Sequence, residues 1–212
     1  MKERIRIYRL FSPTAYRVIL NLVLPVVILL LELLNTAVVK YSLMSLFGGL
    51  WMMGEIMGDL WFLNGICQKN ALSMDFLKAS DKGMSYLSGL VSFDMLRKLG
   101  EILGLCVIDA IFLTVFTGEA PLTIWVLLLG EAALYYGLTV VVVTITRHFD
   151  NVQMVMLPTS LAVLIATWTM TAMSFVPYIV APIALVFAIV ASIICYIHTK
   201  KKVEEGFYDT RS

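Results

Sequence analysis

Long apolar runs separated by short polar stretches set the organisation of this chain. The segments LNLVLPVVILLLELL (20–34) and PIALVFAIVASIICYI (182–197) carry no two-residue alternation of the kind a barrel strand shows. A bilayer core is about 30 Å thick and takes about 20 mostly apolar residues in a helix. Six runs meet that length: 17–40, 43–66, 99–117, 121–145, 152–173 and 177–197. The pattern predicts an all-α integral membrane protein, one domain over 1–212, with six transmembrane helices. The first run is about twice the length of a signal-peptide core and reads as a span.

Two polar stretches interrupt the plan. In residues 3–16, Ile5, Tyr8, Leu10 and Phe11 interleave with Arg4, Arg6 and Arg9. That spacing predicts an amphipathic helix lying in the headgroup layer, ended by Ser12-Pro13. A disordered basic tail is the alternative. The second stretch, 67–98, is the one long polar loop. Its apolar residues Leu77, Met84, Tyr86, Leu87, Leu90, Phe93 and Leu96 recur at three- and four-residue steps. This predicts helical extensions of spans 2 and 3 around a short helix, Gly83–Leu90. Asp81 would cap that helix and Gly89 end or turn it. A short helix displayed clear of the lipid suits docking into a groove on a soluble partner.

Charge orients the plan. The chain is 60% hydrophobic, and its 16 Lys and Arg against 15 Asp and Glu leave a net charge of +1. Mean hydropathy is +0.88. Fifteen of the 16 basic residues precede or open span 1, fall between spans 2 and 3 or 4 and 5, or follow span 6; only Lys40 lies at the opposite end, in the turn after span 1. Basic residues favour the cytoplasmic side. Both termini and the 67–98 loop are therefore expected in the cytoplasm of a multi-pass cell-membrane protein, with outer turns too short for a receptor domain. Nothing in this balance points to nucleic acid.

The chemistry within the spans is acidic. Glu32, Glu55, Asp59, Asp109 and Glu131 fall inside spans 1 to 4, with no Lys or Arg expected at their depth. A charge at mid-bilayer costs about 2.5–3.5 kcal/mol on insertion scales, so these acids should face the bundle interior or carry a proton. Glu55 and Asp59, four apart, share one helix face. Glu55, Asp59, Asp109 and Glu131 are candidates for a polar translocation path attracting cationic groups; joining helices by hydrogen bonds is the alternative for each. Glu32, with Asn35 and Thr36 at helical spacing, reads as packing. Gly54-Glu55-Ile56-Met57-Gly58 is a G-x-x-x-G match that would let span 2 approach a neighbour closely. Met52, Met53, Met57, Met154, Met156, Met170 and Met173 can line a tolerant path or fill the core. Trp51, Trp61 and Trp168 suit either an interfacial belt or substrate contact.

Enzyme chemistry finds little footing. His148 and His198 are the only histidines, and neither H-E-x-x-H nor a Ser–His arrangement is present. Cys67, Cys106 and Cys195 have no CxxC spacing, so no metal site is expected. An intramembrane enzyme and a non-transporting scaffold or immunity subunit remain as competing classes.

Met84-Ser85-Tyr86-Leu87-Ser88-Gly89-Leu90-Val91-Ser92, followed by Arg97-Lys98-Leu99, resembles the segment between spans 2 and 3 of ABC-2-type ABC transporter permeases. That family carries a leucine-rich run there, with a basic residue opening span 3. Leu90 stands where the family usually has Pro, and Phe93 where it often has Arg. The small size also resembles the membrane subunits of exporters for amphipathic peptides of the phenol-soluble-modulin type. The resemblance implies a type V exporter-like transmembrane domain that dimerises. It also implies that Thr167–Tyr178, rich in Thr, Met and aromatic residues and without charge, folds back at the outer face as a short re-entrant turn, a plain loop being the alternative. It also implies a coupling helix, Gly83, Met84, Ser85, Tyr86, Leu87, Ser88, Gly89 and Leu90, docked on each of two separate ABC ATPase subunits. The chain has no G-x-x-x-x-G-K-[ST] loop. It is thus expected to bind no cofactor itself and to leave ATP and Mg to the partner ATPase. The implied cargo is a small amphipathic substrate.

Overall fold

The computed structural model describes residues 8, 12–40, 42–67, 82–118, 122–147 and 152–208, with side chains given except at 61–67, 152–154, 174 and 206–208. Among the described residues there are six long helices and no strand: α1 Thr14–Val39, α2 Met44–Cys67, α3 Gly83–Thr117, α4 Leu122–Thr146, α5 Val152–Phe175 and α6 Pro177–Tyr208. Five helical segments are long and apolar enough to cross a membrane: α1, α3, α4, Val155–Met173 of α5 and Pro177–Glu205 of α6. The fold is that of an all-helical, multi-pass membrane protein.

Local sequence explains the helix boundaries. Pro13 is extended (φ −55°, ψ 143°) and precedes the first turn of α1. Pro25 has no N–H to donate, and the turn before it, Ile19–Val23, is widened to a π-helix. There the Leu24 N–H reaches back five residues to the Ile19 carbonyl. Lys40 ends α1 in the left-handed conformation (φ 58°), its N–H bonded to the Thr36 carbonyl at 3.0 Å. Gly118 ends α3 in the same way, with φ 76°, a value glycine adopts without strain.

Packing follows the helical period. On α1, Leu20, Ile28, Glu32 and Thr36 recur at four-residue multiples and are buried. The opposite face leaves Leu22, Leu30, Leu34 and Val38 exposed, as a lipid-facing stripe requires. Helix α4 is the centre of the bundle; its residues from Gly130 to Val140 are all buried. Its largest partner is α6, which presents Ala181, Ala184, Ala188, Ala191 and Cys195 inward. These small residues let the two backbones approach. A Cβ built on Gly130 would lie 2.6 Å from Ala181 Cβ, and one on Gly137 would lie 2.7 Å from Phe187 Cε1 and 3.2 Å from Ala188 Cα.

Three expectations are revised. The stretch Gly83–Leu90 is not a separate short helix followed by a span from Leu99. It is the first part of α3, continuous for 35 residues to Thr117. Gly89 does not break it, because a lone glycine costs a helix interior only about 1 kcal/mol. Lys82 stands at its N-cap, and Asp81 lies outside the described residues. The re-entrant turn expected over Thr167–Tyr178 is absent. Helix α5 runs to Phe175 and α6 begins at Pro177, with Val176 alone between them. Proline at the first position needs no backbone partner and opens the new helix. Helix α6 also continues past residue 197 to Tyr208. Most of the expected 3–16 interfacial helix and of the 67–98 loop before Lys82 lies outside the described residues, while 14–16 belong to α1.

Gly137→Val should lower stability by about 1–3 kcal/mol through overpacking against Phe187 and Ala188. The midpoint of unfolding in mixed detergent micelles measures it. An unchanged or raised midpoint would contradict the close α4–α6 contact.

Candidate functional site

Six charged side chains meet in the interior and a seventh, Glu101, stands at their edge. Helix α3 supplies Asp94, Arg97, Lys98 and Glu101, at the i, i+3, i+4 and i+7 spacing that puts four residues on one face. Helix α2 supplies Glu55 and Asp59, one turn apart. Arg147, just past the end of α4, closes the group.

The geometry is that of a connected ion network. Arg97 grips Glu55 with both guanidinium nitrogens, Nη2 to Oε2 at 2.5 Å and Nη1 to Oε1 at 2.9 Å. The same guanidinium donates to Glu101 Oε1 at 2.8 Å, Asp94 Oδ1 at 3.1 Å and Asn21 Oδ1 of α1 at 3.0 Å. Lys98 pairs with Asp94 and lies 3.3 Å from Asp59 Oδ1 and 3.8 Å from Glu55 Oε2. Arg147 binds Asp59 in a second two-pronged pair, Nη2 to Oδ1 at 2.6 Å and Nε to Oδ2 at 2.9 Å. It also contacts Asp94 at 3.5 Å and donates to Thr199 Oγ1 of α6 at 3.4 Å. Lys202 of α6 donates to the Arg147 carbonyl.

Glu55, Asp59 and Asp94 are fully buried, Lys98 is 1% exposed and Arg147 4%. A buried charge is tolerated only when paired and hydrogen-bonded. Two-pronged arginine pairs meet that condition best, because the planar guanidinium matches two carboxylate oxygens at once. Four carboxyls face three cations here, so the group is one negative charge in excess when all are ionised. Tyr8, Tyr16, Leu20, Leu87, Leu90 and Val203 form a separate apolar cluster near this end. It joins the residue-8 segment, α1, the start of α3 and the tail of α6. Burial pushes the Tyr8 phenol up from its ordinary range.

The four path candidates separate into two groups. Glu55 and Asp59 sit in the ion network. Here the expectation that no basic residue shares their depth is corrected: Arg97, Lys98 and Arg147 all do. The reason is the continuity of α3, which carries Arg97 and Lys98 into the bundle instead of leaving them in a loop. Asp109 and Glu131 lie towards the other end with Glu32, roughly 16–24 Å away along the helices at 1.5 Å per residue. Asp109 Oδ2 accepts from Ser42 Oγ at 2.7 Å. Glu32 Oε1 accepts from the Leu43 N–H at 3.0 Å and Thr36 Oγ1 at 3.3 Å, which ties the α1–α2 turn to α1. Glu131 is 7% exposed on α4. Of Gly83–Leu90, Gly83, Leu87 and Leu90 are buried, Met84, Tyr86, Ser88 and Gly89 half-buried, and Ser85 exposed.

Gly54 and Gly58 of α2 turn towards α1, where Cβ atoms would meet Leu24 and Leu20. An apolar groove of about 420 Å³ lies along this contact. A second groove, about 650 Å³, runs between α2 and α5 and is lined by Met53, Met57, Met156, Ser160 and Trp168 among others. Met52 and Met173 are instead fully buried. Cys106 and Cys195 are free thiols in the core. Among the described residues no three His, Cys, Asp or Glu side chains converge to hold a metal ion.

These features define a class, a polytopic helical membrane protein with a buried ion network tying α1, α2, α3, α4 and α6 at one end. Comparison with protein-family models, curated proteins and solved structures finds no match.

Lys98→Met should lower stability by about 3–5 kcal/mol, since Asp94 and Asp59 then share one cation fewer in a dry site. Lys98→Arg should recover most of the loss. Thermal unfolding of the purified variants in detergent decides, and a melting point for Lys98→Met equal to the parent's would contradict the paired network.

Proposed function

We propose that this chain is the membrane-spanning subunit of an ATP-driven ABC exporter. In this reading α2, 24 residues long, is a sixth span, and both termini lie in the cytoplasm with the ion network at the cytoplasmic end. The subunit dimerises and engages two copies of a separate ATPase, which binds ATP and Mg. The resemblance of residues 84–99 to ABC-2-type permeases supports it, as does the charge asymmetry of the loops.

The observation that carries the reading is the unbroken α3. A helix that begins in the loop segment resembling a coupling element and continues for 35 residues is a rigid lever. Displacement of its first turns moves Asp94, Arg97 and Lys98, which hold α1, α2 and α4. ATPase closure can thus be transmitted to the spans without a flexible joint. The network also changes the role of the acids. Glu55 and Asp59, held by arginine and lysine, serve as the joint of that lever and not as a free acidic path. The methionine-lined groove between α2 and α5 is the better place for the apolar face of a small amphipathic cargo.

Two measurements test this. Ser85→Arg with Tyr86→Asp alters positions that are exposed and half-buried, so the subunit should still insert and fold. ATPase co-purification should fall at least tenfold, or hydrolysis should no longer respond to cargo. Normal assembly and coupling would reject the docking role. A reporter fused after Ser212 should be active only in the cytoplasm; activity outside would reject the topology.

A further inference from the structure

The apolar groove between α1 and α2 begins at the first turn of α1 and runs into the bundle's lipid face. Ala15, Ile19, Leu20 and Leu24 line one side, Gly54 and Gly58 the other, and no charged residue borders it. Its α1 wall extends from Pro13 to Leu24. At 1.5 Å per residue that is roughly 16 Å, the depth of one leaflet of a hydrocarbon core about 30 Å thick. The two glycines bring α2 against Leu20 and Leu24 at the floor, while Ile19 and Met57 stand open at the rim, 53% and 45% exposed. The π-turn Ile19–Val23 forms the middle of the wall, and such turns concentrate at functional sites. A lining without polar partners suits no aqueous solute. A crossing helix runs through both leaflets, twice the length of this groove. An acyl chain is confined to one leaflet and matches it.

Arg17 stands beside the mouth of the groove. Its Nη2 donates to Thr14 Oγ1 at 3.1 Å in an exposed contact, which folds the side chain back to the first turn of α1. Its Nε is shielded from water and meets no acceptor. A guanidinium carries five N–H donors in a fork that matches the oxygens of a phosphate. The sequence holds no acid between Glu3 and Glu32, so nothing offsets this charge along the first turns of α1.

We propose that the groove binds one membrane phospholipid of net negative charge, with an acyl chain lying between α1 and α2 and the headgroup phosphate on the Arg17 guanidinium. The chain covers the apolar wall and the phosphate takes donors that Thr14 leaves. The site is separate from the interior ion network and does not depend on the exporter reading.

Native mass spectrometry of the full chain in mild detergent, incubated with phosphatidylglycerol or with phosphatidylcholine of the same chain length, tests the headgroup contact. One phosphatidylglycerol per chain should stay bound, retained about fivefold better than phosphatidylcholine. Arg17→Ala should remove that preference and Arg17→Lys should keep most of it. Ala15→Trp, at an exposed lining position, should fill the groove and lower retention of both lipids at an unchanged melting point. Inorganic phosphate at millimolar concentration should displace neither. In nanodiscs, a phosphatidylglycerol with a photoactivatable group midway along its acyl chain should label Ile19, Leu24 or Met57 in preference to Leu30 and Leu34, which are exposed on α1 outside the groove. That labelling uses the unaltered chain and decides the matter if a variant folds poorly. No retained lipid, an undiminished preference in Arg17→Ala, displacement by phosphate alone, or labelling spread evenly over Leu30 and Leu34 would each overturn the proposal. So would a dimer of the chain that Ala15→Trp dissociates, since a second copy would then fill the groove.

Discussion

Charge buried in a low-dielectric bundle is the constraint on which the rest of this structure depends. A carboxylate taken out of water needs several kcal/mol of compensation, and lipid supplies none. At one end of the molecule Arg97, Lys98 and Arg147 supply it for Glu55, Asp59 and Asp94. At the other end hydroxyls and one backbone N–H cover one oxygen each of Glu32 and Asp109. An arginine pair holds its charge over the whole physiological pH range. The bundle is thus clamped by ion pairs at one end and by neutral hydrogen-bond donors at the other.

The clamp explains why α3 runs unbroken where a loop and a separate short helix were expected. Asp94, Arg97, Lys98 and Glu101 work together only if the four lie on one helical face. A break at Gly89 would leave Leu87 and Leu90 without the cluster formed by Tyr8, Tyr16, Leu20 and Val203. Burial of that cluster and pairing of the charges both favour continuation of the helix, against a modest glycine penalty. In the exporter reading, the same continuity turns the loop-proximal turns of α3 into a transmission rod.

Close packing supplies what charge does not. The α4–α6 contact rests on Gly130, Gly137 and a row of alanines, and the α1–α2 contact on Gly54 and Gly58. In lipid there is no hydrophobic gain from pressing two helices together, so close contact over small residues takes its place. Helix α5 packs less tightly. It leaves Leu157, Leu161, Leu164 and Trp168 exposed and borders the groove with α2. In the exporter reading, this is the side on which a cargo or a second copy of the chain would meet the molecule with the smallest disturbance of its interior.

Much of this was readable from local pattern. Run length and the lack of alternation determined that the chain is helical and where most of the described helices begin and end, because hydrophobic thickness and the helical rise are fixed quantities. The Gly54–Gly58 spacing announced a tight contact, and Asp59 one turn after Glu55 announced a shared face. The Asp94–Arg97–Lys98–Glu101 spacing was also present in the chain. The charge rule places basic residues next to a span in the loop, because it sees position along the chain and not depth in the bundle. Arg147 carries no local signal at all: its partner Asp59 lies 88 residues away. Only the packing of α2, α3 and α4 brings the three cations to the three buried acids. The same packing brings Glu32 and Asp109 to the neighbouring residues Leu43 and Ser42 and to no cation among the described residues, since pairing across helices depends on rotation and register, which periodicity alone does not encode.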